Sequence, residues 1–144
     1  MAENLITITT LYEAFGRGDI TQVLSLLADD VEWESWADNR AQQGGVPWLA
    51  PKRGKAGAAE FFQCVATQMR VRDFQVLSIM TGGNQVAAEI VIEADIPSTG
   101  GRIRDEEMHL WTLNGDGKVT RLRHYVDTAK HLEAAGLRID EMRR

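Results

Sequence analysis

The sequence predicts an α+β domain in which helices come first and a run of antiparallel strands follows. Three observations carry this. Apolar residues in the first half recur at intervals of three and four, those in the second half alternate at intervals of two, and the 144 residues contain neither an internal repeat nor a linker. A chain of that length is expected to fold as one domain, 1–144, around a single core.

Leu5, Ile8, Tyr12 and Phe15 form the stripe of a first amphipathic helix, which Gly16 and Gly18 end. Asp19 is placed to cap a second, since its carboxylate can accept the free N–H groups of a first turn. Ile20, Val23, Leu24 and Leu27 supply that helix's buried face, and its end is expected near Asp29. Val31 to Trp36 is extended and aromatic. Asp38 to Lys55, with Gly44, Gly45, Pro47, Pro51 and Gly54, reads as a long loop, and such loops in compact domains are often lids. Ala58, Phe61, Phe62, Val65 and Met69 mark a third helix.

After Met69 the period becomes two. Phe74 to Met80 suits a strand, and Gly82-Gly83-Asn84 turns the chain into a longer one from Gln85 to Ile96. There Val86, Ala88, Ile90, Ile92, Ala94 and Ile96 share one face, while Glu89, Glu93 and Asp95 share the other, a solvated or dimer-rim face. A further strand runs to Leu113, Asn114-Gly115-Asp116-Gly117 forms a hairpin, and a last strand reaches about Val126. Asp127 and Thr128 open a terminal helix.

Composition excludes several classes of function. With 44% hydrophobic and 26% charged residues the chain is of ordinary globular type. A net charge of −5 and basic clusters no longer than Lys52 to Lys55 give no phosphate-tracking stripe, so nucleic acid is not an expected partner. No apolar run is long enough to span a bilayer and the first residues lack a basic, then apolar, leader, which leaves no membrane partner and a cytoplasmic address as the expectation. The single cysteine, Cys64, cannot close an internal disulfide and reads as a buried, inert thiol. No CxxC, HExxH or GxxxxGK[ST] occurs, so no cofactor and no metal is indicated; Asp29-Asp30 reads as a helix end and strand entry.

The layout resembles the NTF2-like cone, and more closely its SnoaL-like and ketosteroid-isomerase-like branches. The residues that carry the resemblance are Tyr12 and Phe15 before Gly18-Asp19, Leu26 to Val31, Gly54 leading into Ala59 to Phe62, Asn114 to Val119, and Tyr125-Val126-Asp127. It implies a curved, mainly antiparallel sheet wrapped around three N-terminal helices with a short C-terminal helix. It further implies an apolar pocket for a hydrophobic small molecule, and a homodimer through the outer sheet face. In ketosteroid isomerases the general base is a carboxylate at the place this chain gives to Ser35. The oxyanion-hole tyrosine falls on Leu11, one residue short of Tyr12, and the oxyanion-hole aspartic acid on His109. Steroid isomerase chemistry is not supported, because a serine takes no proton from a carbon acid without a partner base.

Hairpin geometry places the candidate site. A four-residue loop over Asn114 to Gly117 pairs Trp111 with Thr120, His109 with Leu122 and Glu107 with His124, so both histidines share a face with Trp111, Leu122 and Val126. A three-residue loop with a bulge would shift the register by one and separate them. Glu107 beside His124 makes a carboxylate–imidazole pair that raises the basicity of the ring, and His109 is placed to polarise a carbonyl. SnoaL-like cyclases and scytalone dehydratases are similar in keeping histidine or carboxylate on these strands. The catalytic candidates are therefore Glu107, His109, His124 and Asp127, the last most simply a helix cap. The substrate-binding candidates are Tyr12, Trp33, Trp36, Trp48, Phe62, Trp111, Leu122 and Val126, although tryptophans are also ordinary core residues.

Two functions follow. One is a cofactor-free isomerase, cyclase or dehydratase acting on a hydrophobic carbonyl compound, with His124 and Glu107 as the base, His109 as the electrophile, and a bell-shaped rate profile with a limb near neutral pH. The alternative is a binding or accessory protein that keeps the pocket without chemistry. Ser35 at the base position favours binding, and the paired histidines favour the enzyme. Glu107 and His124 within hydrogen-bond reach in a closed cavity, or instead on an exposed face, discriminate the two.

Overall fold

The computed structural model describes residues 2–34 and 38–137. Its order is α1 (Ala2–Gly16), α2 (Ile20–Ser25), β1 (Leu27–Trp33), α3 (Arg40–Gln43), β2 (Lys52–Arg53), α4 (Gly54–Gln68), β3 (Arg70–Gly82), β4 (Gln85–Ile96), β5 (Gly101–Leu113), β6 (Val119–Tyr125) and α5 (Thr128–Ala134). The six strands form one open sheet in the order β2-β1-β6-β5-β4-β3, antiparallel throughout except where β1 runs parallel to β6. The α+β expectation holds, with helices on the concave face.

Local chemistry accounts for most boundaries. Asp19 caps α2 through a bond from the Gln22 N–H at 3.1 Å, and Asp127 caps α5 through one from the Lys130 N–H at 3.2 Å. Helix α2 is shorter than its apolar spacing suggests: Leu27, expected on its buried face, begins β1 opposite Val119. Tertiary pairing has overridden local period there. The long segment after β1 is no open lid. Asn39 caps α3, a 3-10 turn spans Pro47–Leu49, and Ala41, Val46, Trp48 and Leu49 are buried. The Gln42 side-chain amide ties the segment down, donating to the carbonyls of Glu34 at 2.8 Å and Leu49 at 2.9 Å. Cys64, expected to be buried, is only half-buried on α4, and burial still raises its thiol above the ordinary value.

Bulges in β3 at Val71/Asp73 and Val76/Ser78 bend the sheet around its contents. Its concave face carries the even-numbered residues of β4, as the alternation required, and Met80 and Tyr125, on the outer face, are exposed. The homodimer expectation concerns that outer face. Two apolar clusters lie on the concave side. One joins Ile8, Leu11, Val23, Trp33, Ala58 and Trp111, and the other joins Val46, Trp48, Leu49, Ile96, Ile103 and Leu132. Strand β5 crosses from the second, at Ile103, to the first, at Trp111. The residues between those two anchors are where the polar side chains collect.

Candidate functional site

The β5–β6 hairpin decides which side chains meet. Its turn is a three-residue loop, Gly115-Asp116-Gly117: the Asn114 N–H donates to the Lys118 carbonyl at 2.9 Å, and the Asn114 side chain accepts from the N–H groups of Asp116 and Lys118 at 3.0 Å each. That loop alone would put the histidines on opposite faces. A second irregularity, between the Leu113↔Val119 and Thr112↔Arg121 pairs, leaves Thr120 unmatched and restores the face. The pairs are therefore His109↔His124 and Trp111↔Leu122. The expected Glu107↔His124 pairing is corrected to a diagonal contact, and Trp111↔Thr120 and His109↔Leu122 do not form.

The His109 and His124 rings meet edge to face with centroids 4.5 Å apart. Nε2 of His124 lies 2.5 Å from Glu107 Oε1, and its Nδ1 lies 3.0 Å from Glu34 Oε1. An imidazole with a carboxylate at each nitrogen is held as imidazolium. Burial opposes the charge, but Glu107 and Glu34 outweigh it and raise the ring well above its ordinary value of 6.5. Burial also opposes ionisation of Glu107, and here the His124 charge and the bonds from His124 and His131 win, holding the carboxylate far below its usual range. Glu34 goes the other way. Fully buried, and with Oε2 unpartnered among the described residues, it is raised by desolvation against the pull of His124.

His109 is neutral. Trp111 donates its indole N–H to the Tyr12 hydroxyl at 3.0 Å, and among the described residues the hydroxyl's own proton has one acceptor, His109 Nδ1 at 2.7 Å, which leaves the His109 proton on Nε2. Burial, then the neighbouring His124 charge, take His109 down to about 3. Burial likewise pushes the Tyr12 hydroxyl above its ordinary value. The nearest carboxylate oxygen to His109 Nε2 is Glu107 Oε1 at 3.9 Å, too far for a hydrogen bond, so among the described residues this N–H is uncommitted.

A depressed histidine makes the fold acid-sensitive. An unfolded His109 binds a proton near pH 6.5 and the folded one only near 3. The stability associated with its neutral form is complete above the upper value and is lost as pH falls through that window, by roughly 1.4 kcal/mol per pH unit. In His109→Gln, which keeps an acceptor for Tyr12 and does not titrate, urea denaturation is expected to show a shallower acid decline. Parallel declines would refute this assignment.

Beyond Glu107 lies a third histidine that the strand pattern did not bring forward. Trp48 donates its indole N–H to His131 Nδ1 at 2.9 Å, while His131 Nε2 lies 2.9 Å from Asp105 Oδ2 and 2.8 Å from Glu107 Oε2. Against burial, the two carboxylates draw the proton affinity of His131 upward, but with Nδ1 occupied as an acceptor the ring stays neutral with its proton on Nε2. Burial raises Asp105, against bonds from His131 and from the Asp127 N–H.

Glu107, His109 and His124, and likewise Asp105, Glu107 and His131, converge closely enough to suggest metal ligation. Their tautomers argue against it. His109 and His131 present N–H groups at Nε2, and both nitrogens of His124 face carboxylates, so no histidine here offers a free lone pair.

This polar wall closes one side of a cavity of about 80 Å³ that is otherwise apolar. Glu107, His109, His124 and His131 face it, as do Tyr12, Trp33, Trp48, Phe62, Trp111 and Leu122 from the expected binding set. Val126 does not. It lies past the end of β6 and packs against the second core cluster. Trp36, like Ser35, lies outside the described residues. Asp127 is corrected from the catalytic set: its carboxylate is exposed and caps α5, and only its backbone N–H reaches the cluster. Sequence reasoning missed Glu34, Asp105 and His131. The alternation Asp105, Glu107, His109 along β5 was a legible signal for one of them. Glu34 carried none, since it turns inward only because its φ is +60°, just beyond β1, where its N–H bonds to the Leu122 carbonyl at 3.1 Å.

A curved sheet closed by helices over an apolar cavity with one acid–base wall defines an NTF2-like cone. An NTF2-like protein from Burkholderia xenovorans LB400 is 23% identical, with a TM-score of 0.76 over 94% of this chain and 97% of that one. TerC, co-crystallised with polyporic acid, is 27% identical, with a TM-score of 0.73 over 93% of this chain and 98% of that one. A computationally designed 17-OHP binder is 21% identical, with a TM-score of 0.65 over 87% of this chain and 93% of that one. No curated protein matches the sequence. The SnoaL-like domain model matches residues 8–122, and the chain belongs to that family.

Proposed function

We propose that the protein is a cofactor-free acid–base enzyme that enolises a hydrophobic, carbonyl-containing small molecule, as an isomerase, cyclase or dehydratase does. The observation that carries this is the pairing of an uncommitted N–H, His109 Nε2, with an ionised carboxylate oxygen, Glu107 Oε1, 3.9 Å away in the same cavity. A substrate carbonyl oxygen accepts from His109 Nε2, which sets the adjacent carbon near Glu107. Oε1 takes the proton from that carbon, and the C–H electron pair moves into the enolate, whose oxygen charge is held by His109. The proton then returns to a different carbon, or leaves with a β-hydroxyl as water. The base differs from the sequence expectation. His124, protonated between two carboxylates, has no lone pair to take a proton, and Glu107 takes the role of base, kept ionised by the His124 charge and weakened by it in the same measure.

One observation favours the binding reading: among the described residues, apart from His109 Nε2 and the unpartnered indole N–H of Trp33, the polar side-chain atoms facing the cavity are already bonded within the cluster. Both readings are tested by NMR in D₂O with a panel of enolisable aryl ketones, and with polyporic acid as a competing ligand because TerC was crystallised with it. The enzyme reading expects exchange of the hydrogen next to the carbonyl, suppressed by the competitor. Saturable binding with no exchange across the panel supports a binding protein and overturns the enzyme.

A further inference from the structure

We propose that His131 is a positioning residue for Glu107: locked by Trp48 in the tautomer with its proton on Nε2, it donates to Glu107 Oε2 and so turns Oε1 toward His124 and the cavity. This rests on the reading of Glu107 as the base. The proposal stands on hydrogen-bond bookkeeping. An indole nitrogen only donates, so the 2.9 Å contact from Trp48 Nε1 makes His131 Nδ1 an acceptor. A neutral ring then has one remaining proton, on Nε2, and two carboxylate oxygens stand within 2.9 Å of it, Asp105 Oδ2 and Glu107 Oε2.

Glu107 is thereby gripped at both ends, Oε1 by His124 at 2.5 Å and Oε2 by His131 at 2.8 Å. With its two oxygens tied to rings on different elements, β6 and α5, the carboxylate cannot rotate without breaking a charge-assisted bond. Asp105 completes the arrangement. It shares the His131 proton and accepts the Asp127 N–H at 3.1 Å, which joins the first residue ahead of α5 to the same cluster. The groups facing His131 are thus Trp48 from the segment after β1, Asp105 and Glu107 from β5, and the His124 charge from β6. A residue that merely anchored α5 to the sheet would need neither a fixed tautomer nor a bond to the carboxylate that faces the cavity.

The test is long-range ¹H–¹⁵N NMR of the histidine rings in the full chain near neutral pH, together with ¹³C titration of the Glu107 carboxyl down to about pH 4. Wild type is expected to show His131 with one proton, on Nε2, and Glu107 ionised throughout. His131→Gln, whose amide both donates and accepts, should behave alike. His131→Leu should raise the Glu107 midpoint far enough to bring its titration step into this range, as loss of a charge-assisted bond to a buried carboxylate implies. Should the leucine variant fail to fold, Trp48→Phe keeps the ring and frees Nδ1, and His131 is then expected to lose its single tautomer. A proton on Nδ1 in wild type, a Glu107 titration unmoved in His131→Leu, or an unchanged tautomer in Trp48→Phe would each overturn the proposal. None of these measurements uses turnover, so absence of catalysis would remove the enzyme reading and leave the positioning result standing.

Discussion

Replacing His124 with leucine is expected to cost about 3–5 kcal/mol of folding stability, because it removes the one cation between two buried carboxylates. Glu34 and Glu107 both bond to that ring, at 3.0 and 2.5 Å, and Glu34 is fully buried. The pH dependence carries the sign. The folded value of His124 is raised above 6.5, so its stabilisation is complete below that pH and is lost as pH rises through the folded value. On the acid side the cost of the substitution shrinks again as Glu34, itself raised by burial, takes up a proton and no longer needs a cation. Urea titrations of wild type and His124→Leu across pH should therefore diverge most near neutrality and converge on either side. Adding Glu34→Leu should recover part of the loss, since one unpaired charge goes with it. A constant difference at all pH values would mean that the ring acts by packing alone.

The second large effect is on turnover. Glu107→Gln is expected to lower the rate of hydrogen exchange by about 10²–10⁴-fold, the usual worth of a positioned general base. The amide preserves size and still bonds to one of the two rings, so near-ultraviolet circular dichroism should remain that of the native fold. His124, deprived of one carboxylate, should titrate at lower pH. The rate profile itself should be level across neutrality. In the folded protein His109 titrates near 3 and His124 well above 6.5, so the neutral limb that two ordinary histidines would give is absent. A limb near neutral pH, or an unimpaired Glu107→Gln, would take the chemistry away from this wall.

Much of this was legible along the chain and some was not. Period and caps gave the helices and strands, and parity along β5 placed Glu107 and His109 on one face without any knowledge of the third dimension. Register was another matter. The turn sequence admits loops of different length, and two one-residue shifts, the three-residue loop and the bulge at Thr120, cancelled in parity while moving every pair. The end of α2 was misplaced for a related reason: the apolar spacing of Leu27 fits a helix, and only pairing with Val119 assigns it to a strand.

By itself the sequence determined the α+β order, the inward face of β4 and β5, and Glu107 with His109 on that face, because these follow from local geometry repeated along a strand or helix; His124, on β6, joins them only through the register of the hairpin. Tertiary structure alone decided the partners. Glu34 stands 90 residues from His124, and Trp48 stands 83 from His131. No local rule joins residues so far apart. Which proton sits on which nitrogen, and hence which group serves as base, depends on those distant partners, since in a dry cavity each bond already made dictates the next.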